Sequence, residues 1–191
     1  MKKIILSLTL TIAIAFVATA ESAKTLKVGD TAPAFKIKNT SGKEIDLAKL
    51  SAKGPVLVRL TCGCLGCDRE LPYFQALHEA YKKDGIRLVA IFAEPDEKFA
   101  KYAKSKQFKM QYALDPKRNS WKTFGTKTMP SNFLIGKGGK VIAISKGCDP
   151  SGLIARNLGD KTATLLNTAK VDIKTQVDKN KKPTQKTQPQ K

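Results

Sequence analysis

At 191 residues and 41% hydrophobic content, the chain has the material for one domain with a buried core plus appendages. Its formal net charge is +19, yet no arginine-rich helix or aromatic-interleaved basic stripe accompanies that charge, which argues against nucleic acid as a partner. Seven lysines against two aspartates put +5 of the total in residues 170–191. The rest reads either as weak attraction to anionic lipid, cell-wall polymer or an acidic protein, or as a lysine-rich solvated surface.

Met1 to Ala20 has the layout of a signal peptide. Lys2 and Lys3 precede the apolar run Ile4 to Val17, and Ala18-Thr19-Ala20 supplies small residues for cleavage before Glu21. The run is shorter than the ~20 residues of a membrane span, and no cysteine follows it to carry a lipid. Export places the cysteines in an oxidising compartment, periplasmic or otherwise outside the cytosol. Residues 21–27 are a polar lead-in. Phe35 to Lys38 alternates as a strand does, Asn39-Thr40-Ser41-Gly42 marks a turn, and a short helix is expected around Leu47 to Leu50. Val56 to Leu60 is apolar on both faces, as in a central buried strand. Arg59 is its exception, and the expected partner is a carboxylate such as Glu94.

Thr61 to Pro72, T-C-G-C-L-G-C-D-R-E-L-P, holds three of the four cysteines. Cys64 and Cys67 have C-x-x-C spacing between a strand and a helix. There the first thiol meets a helix N-terminus, whose unpaired N–H groups and dipole favour the thiolate. A thiolate attacks disulfides and a neighbouring thiol resolves the mixed disulfide. Glu70 to Lys82 carries a helical stripe of Leu71, Phe74, Leu77 and Tyr81, with Pro72 inside the helix as an expected kink. His78, the only histidine, is read as packed beside that stripe.

Ile86 to Ala93 reads as a second apolar strand, followed by a helix to about Gln107, a short strand at Gln111 to Leu114 and a helix at Arg118 to Phe124 with Trp121 in the core. Thr128 to Ile135 leads into a strand, Gly136 to Gly139 turns a hairpin, and Lys140 to Ser145 returns. Gly147-Cys148-Asp149-Pro150 opens a last helix, about Ser151 to Thr168. The domain is set at 28–168. Residues 169–191, rich in Lys, Gln and Pro, are expected to be a disordered tail.

The pattern is that of an α/β domain with a mixed central sheet flanked by helices. Cys64-Leu65-Gly66-Cys67 followed by Glu70-Leu71-Pro72 resembles the W-C-x-P-C-R-x-E-x-P signature of TlpA/ResA-like thiol–disulfide oxidoreductases, in the redoxin (AhpC/TSA-like) branch of the thioredoxin superfamily. Val28-Gly29-Asp30-Thr31-Ala32-Pro33-Ala34-Phe35 is similar to the opening of redoxin domains. The resemblance implies a thioredoxin-like fold with a redoxin-type N-terminal extension and no cofactor. Cys64 would be the nucleophile, Cys67 the resolving thiol and Glu70 a proton-handling carboxylate. Pro130 after Met129 would be the cis-proline. Gly63, Leu65, Gly66, Met129 and Gly147 would border the substrate. The partners implied are protein disulfides or dithiols and a membrane-linked redox protein. The chain departs from the pattern at Gly63 for tryptophan, Gly66 for proline, Asp68 for a basic residue, and in the extra Cys62. Val58 stands where thioredoxins carry a strand aspartate.

Two other chemistries fit parts of the motif. Thr61 and Cys64 have the T-x-x-C spacing of a peroxidatic cysteine, but the arginine such peroxidases need, three residues before Phe133, is Pro130. Cys62, Cys64, Cys67 and Cys148 are soft-metal donors for copper or zinc. Against a metal stand the implied cis-proline facing the thiols and the lack of any histidine after His78. Cys62 and Cys148 are also read as additional redox thiols, able to bond each other or to exchange with the pair, or else as independent thiols, one packed and one exposed.

Overall fold

The computed structural model describes residues 25–180, so the expected signal peptide and the chain from 181 onward lie outside the described residues. β1 (Lys36–Lys38) and β2 (Glu44–Asp46) form an antiparallel hairpin. Asn39 shapes its turn, its side-chain oxygen accepting the N–H groups of Ser41 and Lys43. Asp46 then caps α1 (Leu47–Lys53) by accepting the Lys49 N–H at 3.1 Å. β2 is a strand that the sequence reading lacks; three residues are too few to display a period.

β3 (Val56–Thr61), α2 (Leu65–Tyr81), β4 (Arg87–Phe92), α3 (Asp96–Lys106) and β5 (Gln111–Leu114) wind a parallel βαβαβ unit. α4 (Asn119–Thr123) leads to β6 (Ser131–Ile135) and β7 (Val141–Lys146), which add antiparallel strands on the other side of β3. The sheet order is β5-β4-β3-β6-β7, and β3 at its centre is buried at every position. This is the mixed sheet expected from the sequence.

Strand alternation divides the core. Val56, Val58 and Leu60 of β3 join Val89, Ile91, Phe133 and Ile135 in a cluster closed by the hairpin, α1 and Trp121 and Phe124. Leu57, Leu88, Ala90 and Leu134 face the other way, onto Phe74, Leu77 and Tyr81 of α2, Phe99 of α3 and α5 (Leu153–Leu166). Arg59 lies on that second face, opposite Asn132 in the register.

The tail expectation needs correcting. Residues Ile173–Asn180 form α6, with Ile173 and Val177 buried against the α2–α5 layer. The Val171 N–H reaches the Tyr81 hydroxyl at 2.8 Å and leads the chain into that helix. These two apolar residues, at i and i+4, share the face of α6 that meets that layer.

The C-terminal edge of β3 is where the chain's chemistry gathers. Thr61 pairs with Phe92 and Leu60 with Ser131, which in turn pairs with Lys146. Cys62, Glu94, Pro130 and Gly147 therefore leave the sheet along one edge, beside the point where parallel and antiparallel strands meet.

Candidate functional site: a thiol cluster at the start of helix α2

α2 begins at Leu65, a turn earlier than the apolar stripe indicates, with Cys64 as its N-cap residue in extended conformation. The first helical hydrogen bond, from the Asp68 N–H to the Cys64 carbonyl, is 2.9 Å long. Cys64 is exposed, Cys67 buried and Cys62 in between. The Cys62 and Cys64 sulfurs are 2.7 Å apart, and Cys62 lies 3.5 Å from Cys67.

These contacts divide the three thiols by acidity. Burial would raise Cys64, but the Cys62 S–H, the Cys67 N–H and S–H and the Gly66 N–H together outweigh it and hold the thiol below its ordinary range. Burial pushes Cys67 up, opposed in part by the Thr61 hydroxyl. Burial and donation to Cys64 push Cys62 up further. The Thr61 hydroxyl also reaches the Cys62 carbonyl, at 3.5 Å. The T-x-x-C reading, which pairs Thr61 with Cys64, does not describe this geometry.

Around the thiols the loop is fixed by carboxylates. Glu94 accepts the Gly63 N–H at 2.6 Å, and Asp68 accepts from Tyr102 at 3.0 Å and pairs with Lys106 at 2.7 Å. Arg59 does not pair with Glu94. Its guanidinium meets Glu70 at 2.8 Å and Asn132 at 3.0 Å, and lies 4.0 Å over the Phe74 ring. Glu70 has no exposed surface, and its other oxygen accepts the Asp149 N–H at 3.0 Å. Glu70 is thus a buried carboxylate rather than one on the outer face of α2. The same carboxylate ties α2, β3 and the loop after β7 together.

The Met129–Pro130 peptide bond is cis, and the Pro130 carbonyl accepts the Gly147 N–H at 2.8 Å. Leu65 is 67% exposed, an apolar side chain standing beside the exposed Cys64 sulfur. Cys148 is exposed and packs on Gly66, its sulfur 2.8 Å from where a β-carbon of residue 66 would sit. Among the described residues, Cys62, Cys64 and Cys67 alone form a group of three metal-type donors within 4.8 Å of one another, and Cys148 is outside it. That donor set suits a soft cation. The Cys62–Cys64 separation of 2.7 Å is nevertheless shorter than the ~3.7 Å that two thiolates keep on one ion with ~2.3 Å bonds. His78 lies further along α2, about 16 Å from Cys67 by helical rise, its pKa lowered chiefly by burial.

Sequence reasoning missed Asn132, Asp149 and the Asp68–Tyr102–Lys106 trio. The one available signal was a buried-strand arginine in search of a carboxylate, and Glu70 was the nearer candidate along the chain.

Fold and site together define a thioredoxin-fold protein with a cluster of three thiols at the start of the helix after the central strand. The AhpC/TSA family model matches residues 28–144, and the chain belongs to that family. It is 34% identical over 123 residues to the thiol-disulfide oxidoreductase ResA of Bacillus thuringiensis, covering 64% of this chain and 71% of that protein. Against ResA of Bacillus subtilis it is 30% identical over 125 residues, covering 65% and 70%. Among solved structures, a Chlorobium tepidum protein assigned as the thiol:disulfide interchange protein DsbE superposes with a TM-score of 0.67 at 26% identity, covering 74% of this chain and 99% of that one.

Proposed function

We propose that this chain is a thiol–disulfide oxidoreductase acting on protein substrates, with Cys64 as the attacking thiol and Cys67 as the thiol that resolves the mixed disulfide. The observation that carries the reading is the asymmetry of the pair. The exposed Cys64 is held acidic at a helix N-terminus, and the buried, more basic Cys67 lies directly behind it. The relatives named ResA and DsbE support the same chemistry. Leu65, Gly63, Gly66, Gly147 and the Met129–Pro130 segment form the rim over which an extended substrate would lie. The buried Glu70 orders that rim through Asp149.

The signal-like pattern of residues 1–20 supports a location outside the cytosol, where a membrane-linked partner would recharge the pair. Its net charge of +19 favours approach to anionic surfaces.

Insulin-disulfide reduction tests the assignment. Cys64→Ser is expected to abolish turnover, and full activity in that variant would overturn it. The potential of the pair sets the direction of exchange: a value near about −270 mV marks a reductant, and one near about −120 mV an oxidant. Hydroperoxide consumption is expected to stay near that of a free thiol, because Pro130 occupies the position where a peroxidase carries its arginine.

A further inference from the structure

Cys62 has no counterpart in the motif that the chain otherwise resembles, and it sits closer to the nucleophile than a packing contact between sulfurs requires. Its sulfur is 2.7 Å from that of Cys64, and 3.5 Å from that of Cys67. It leaves the end of β3, behind the loop, while the exposed side of Cys64 stays open to solvent. The Cys62–Cys64 sulfurs must close by only ~0.7 Å to reach the ~2.05 Å of a disulfide. Gly63 between them carries no side chain to obstruct that approach, and the nearest atom to where its β-carbon would sit is Glu94 Oε1 at 3.5 Å.

We propose that Cys62 is a second resolving thiol, so that a substrate bound to Cys64 is released by either of two internal attackers and the oxidised site exists as two interconverting disulfides, Cys62–Cys64 and Cys64–Cys67. This inference rests on Cys64 being the attacking thiol.

The step balances without an outside reagent. In the mixed disulfide Cys64–S–S–R, the Cys62 sulfur attacks the Cys64 sulfur, the S–S bond to the substrate breaks, and the substrate leaves as a thiolate. That thiolate takes the proton Cys62 gave up. The new bond is Cys62–Cys64, Cys64 keeps its oxidation state, Cys62 is oxidised and the substrate sulfur is reduced. Attack by Cys67 on Cys64 then moves the disulfide to Cys64–Cys67 and frees Cys62 as a thiol, with no net electron change. A site with this freedom has two internal routes by which to let go of a substrate.

The test uses glutathione disulfide as the substrate, in full-length protein carrying Cys148→Ser so that only the site thiols react. Cys67→Ser is expected to release glutathione and retain no adduct on Cys64, having closed Cys62–Cys64. Adding Cys62→Ser is expected to trap glutathione on Cys64. A stable adduct in the Cys67→Ser protein with Cys62 free would overturn the second resolver. Absence of any adduct in the double variant would overturn Cys64 as the nucleophile, and the functional reading with it. Because substitution of the buried Cys67 can disturb folding, protein retaining Cys67 supplies a second measurement. After limited oxidation, free thiols are blocked with one alkylating reagent, disulfides are reduced, and the released thiols are marked with another. Cleavage after Arg59 and Arg69 gives one peptide holding all three cysteines. Molecules with the first label on Cys67 and the second on Cys62 support the proposal; Cys62 always carrying the first label overturns it.

Discussion

At the scale of single residues, the acidity of Cys64 reflects a contest between burial, which favours the neutral thiol, and four hydrogen-bond donors, which favour the thiolate. The donors win, so alkylation of reduced Cys64 by iodoacetamide is expected to titrate at a lower pH than that of an ordinary cysteine. The rate should fall as pH drops through that lowered value, because the protonated sulfur is not the nucleophile. The same shift means that Cys64 stabilises the reduced fold above the unfolded thiol's pKa and loses this contribution as pH falls through the folded one. Cys62→Ala removes one donor and should raise the titration midpoint, while Cys62→Ser restores part of the shift. An unmoved midpoint in the alanine variant would show that Cys62 contributes nothing to the shift. Gly66 offers a separate check, since a β-carbon there would come within 2.8 Å of the Cys148 sulfur. That sulfur is the free end of an exposed side chain. Gly66→Ala should therefore fold normally but turn Cys148 outward, read as faster reaction of Cys148 with a maleimide; an unchanged rate would argue that the two do not pack.

At the scale of elements, the Arg59–Glu70 pair joins the central strand to the helix that bears the thiols. Both side chains are almost completely buried, with exposures of 2% and 0%. Removing one partner of such a pair leaves a buried charge uncompensated, so Glu70→Gln is expected to cost about 3–5 kcal/mol. Replacing both, as Arg59→Met with Glu70→Leu, should cost less than the two single changes summed. Additive losses in urea titrations would mean the two act independently. The strand and helix themselves were legible in the sequence, because a run apolar on both faces and a stripe of Leu71, Phe74, Leu77 and Tyr81 are strong periodic signals. The partner of Arg59 was not. Glu94 follows the neighbouring strand, but strand alternation turns Arg59 toward α2, and Glu94 is taken by the Gly63 N–H. Likewise, C-x-x-C spacing announced two close thiols, whereas the approach of Cys62 depends on how the chain turns at Gly63, which spacing does not encode.

At the scale of the molecule, the layer that backs the site is completed by a helix the composition concealed. Lys, Gln, Thr and Asp dominate 170–180, and that polar background hid Ile173 and Val177, which are nonetheless 1% and 4% exposed. Ile173 packs where α5 has a glycine: a β-carbon on Gly159 would come within 3.3 Å of its side chain, so the two helices meet through a small residue. Tyr81, at the end of α2, touches the same place from below and holds the Val171 N–H. α6 therefore braces the far end of the helix whose first turn carries Cys64 and Cys67. Ile173→Ala should cost about 2–5 kcal/mol, the range for emptying a buried aliphatic site. It should appear as a lower urea midpoint with the slope retained. Ile173 makes no contact with the thiols, so insulin reduction per folded molecule should be unchanged under native conditions. A midpoint equal to that of the unaltered protein would mean that α6 contributes nothing to the core, and that the domain does end near residue 168.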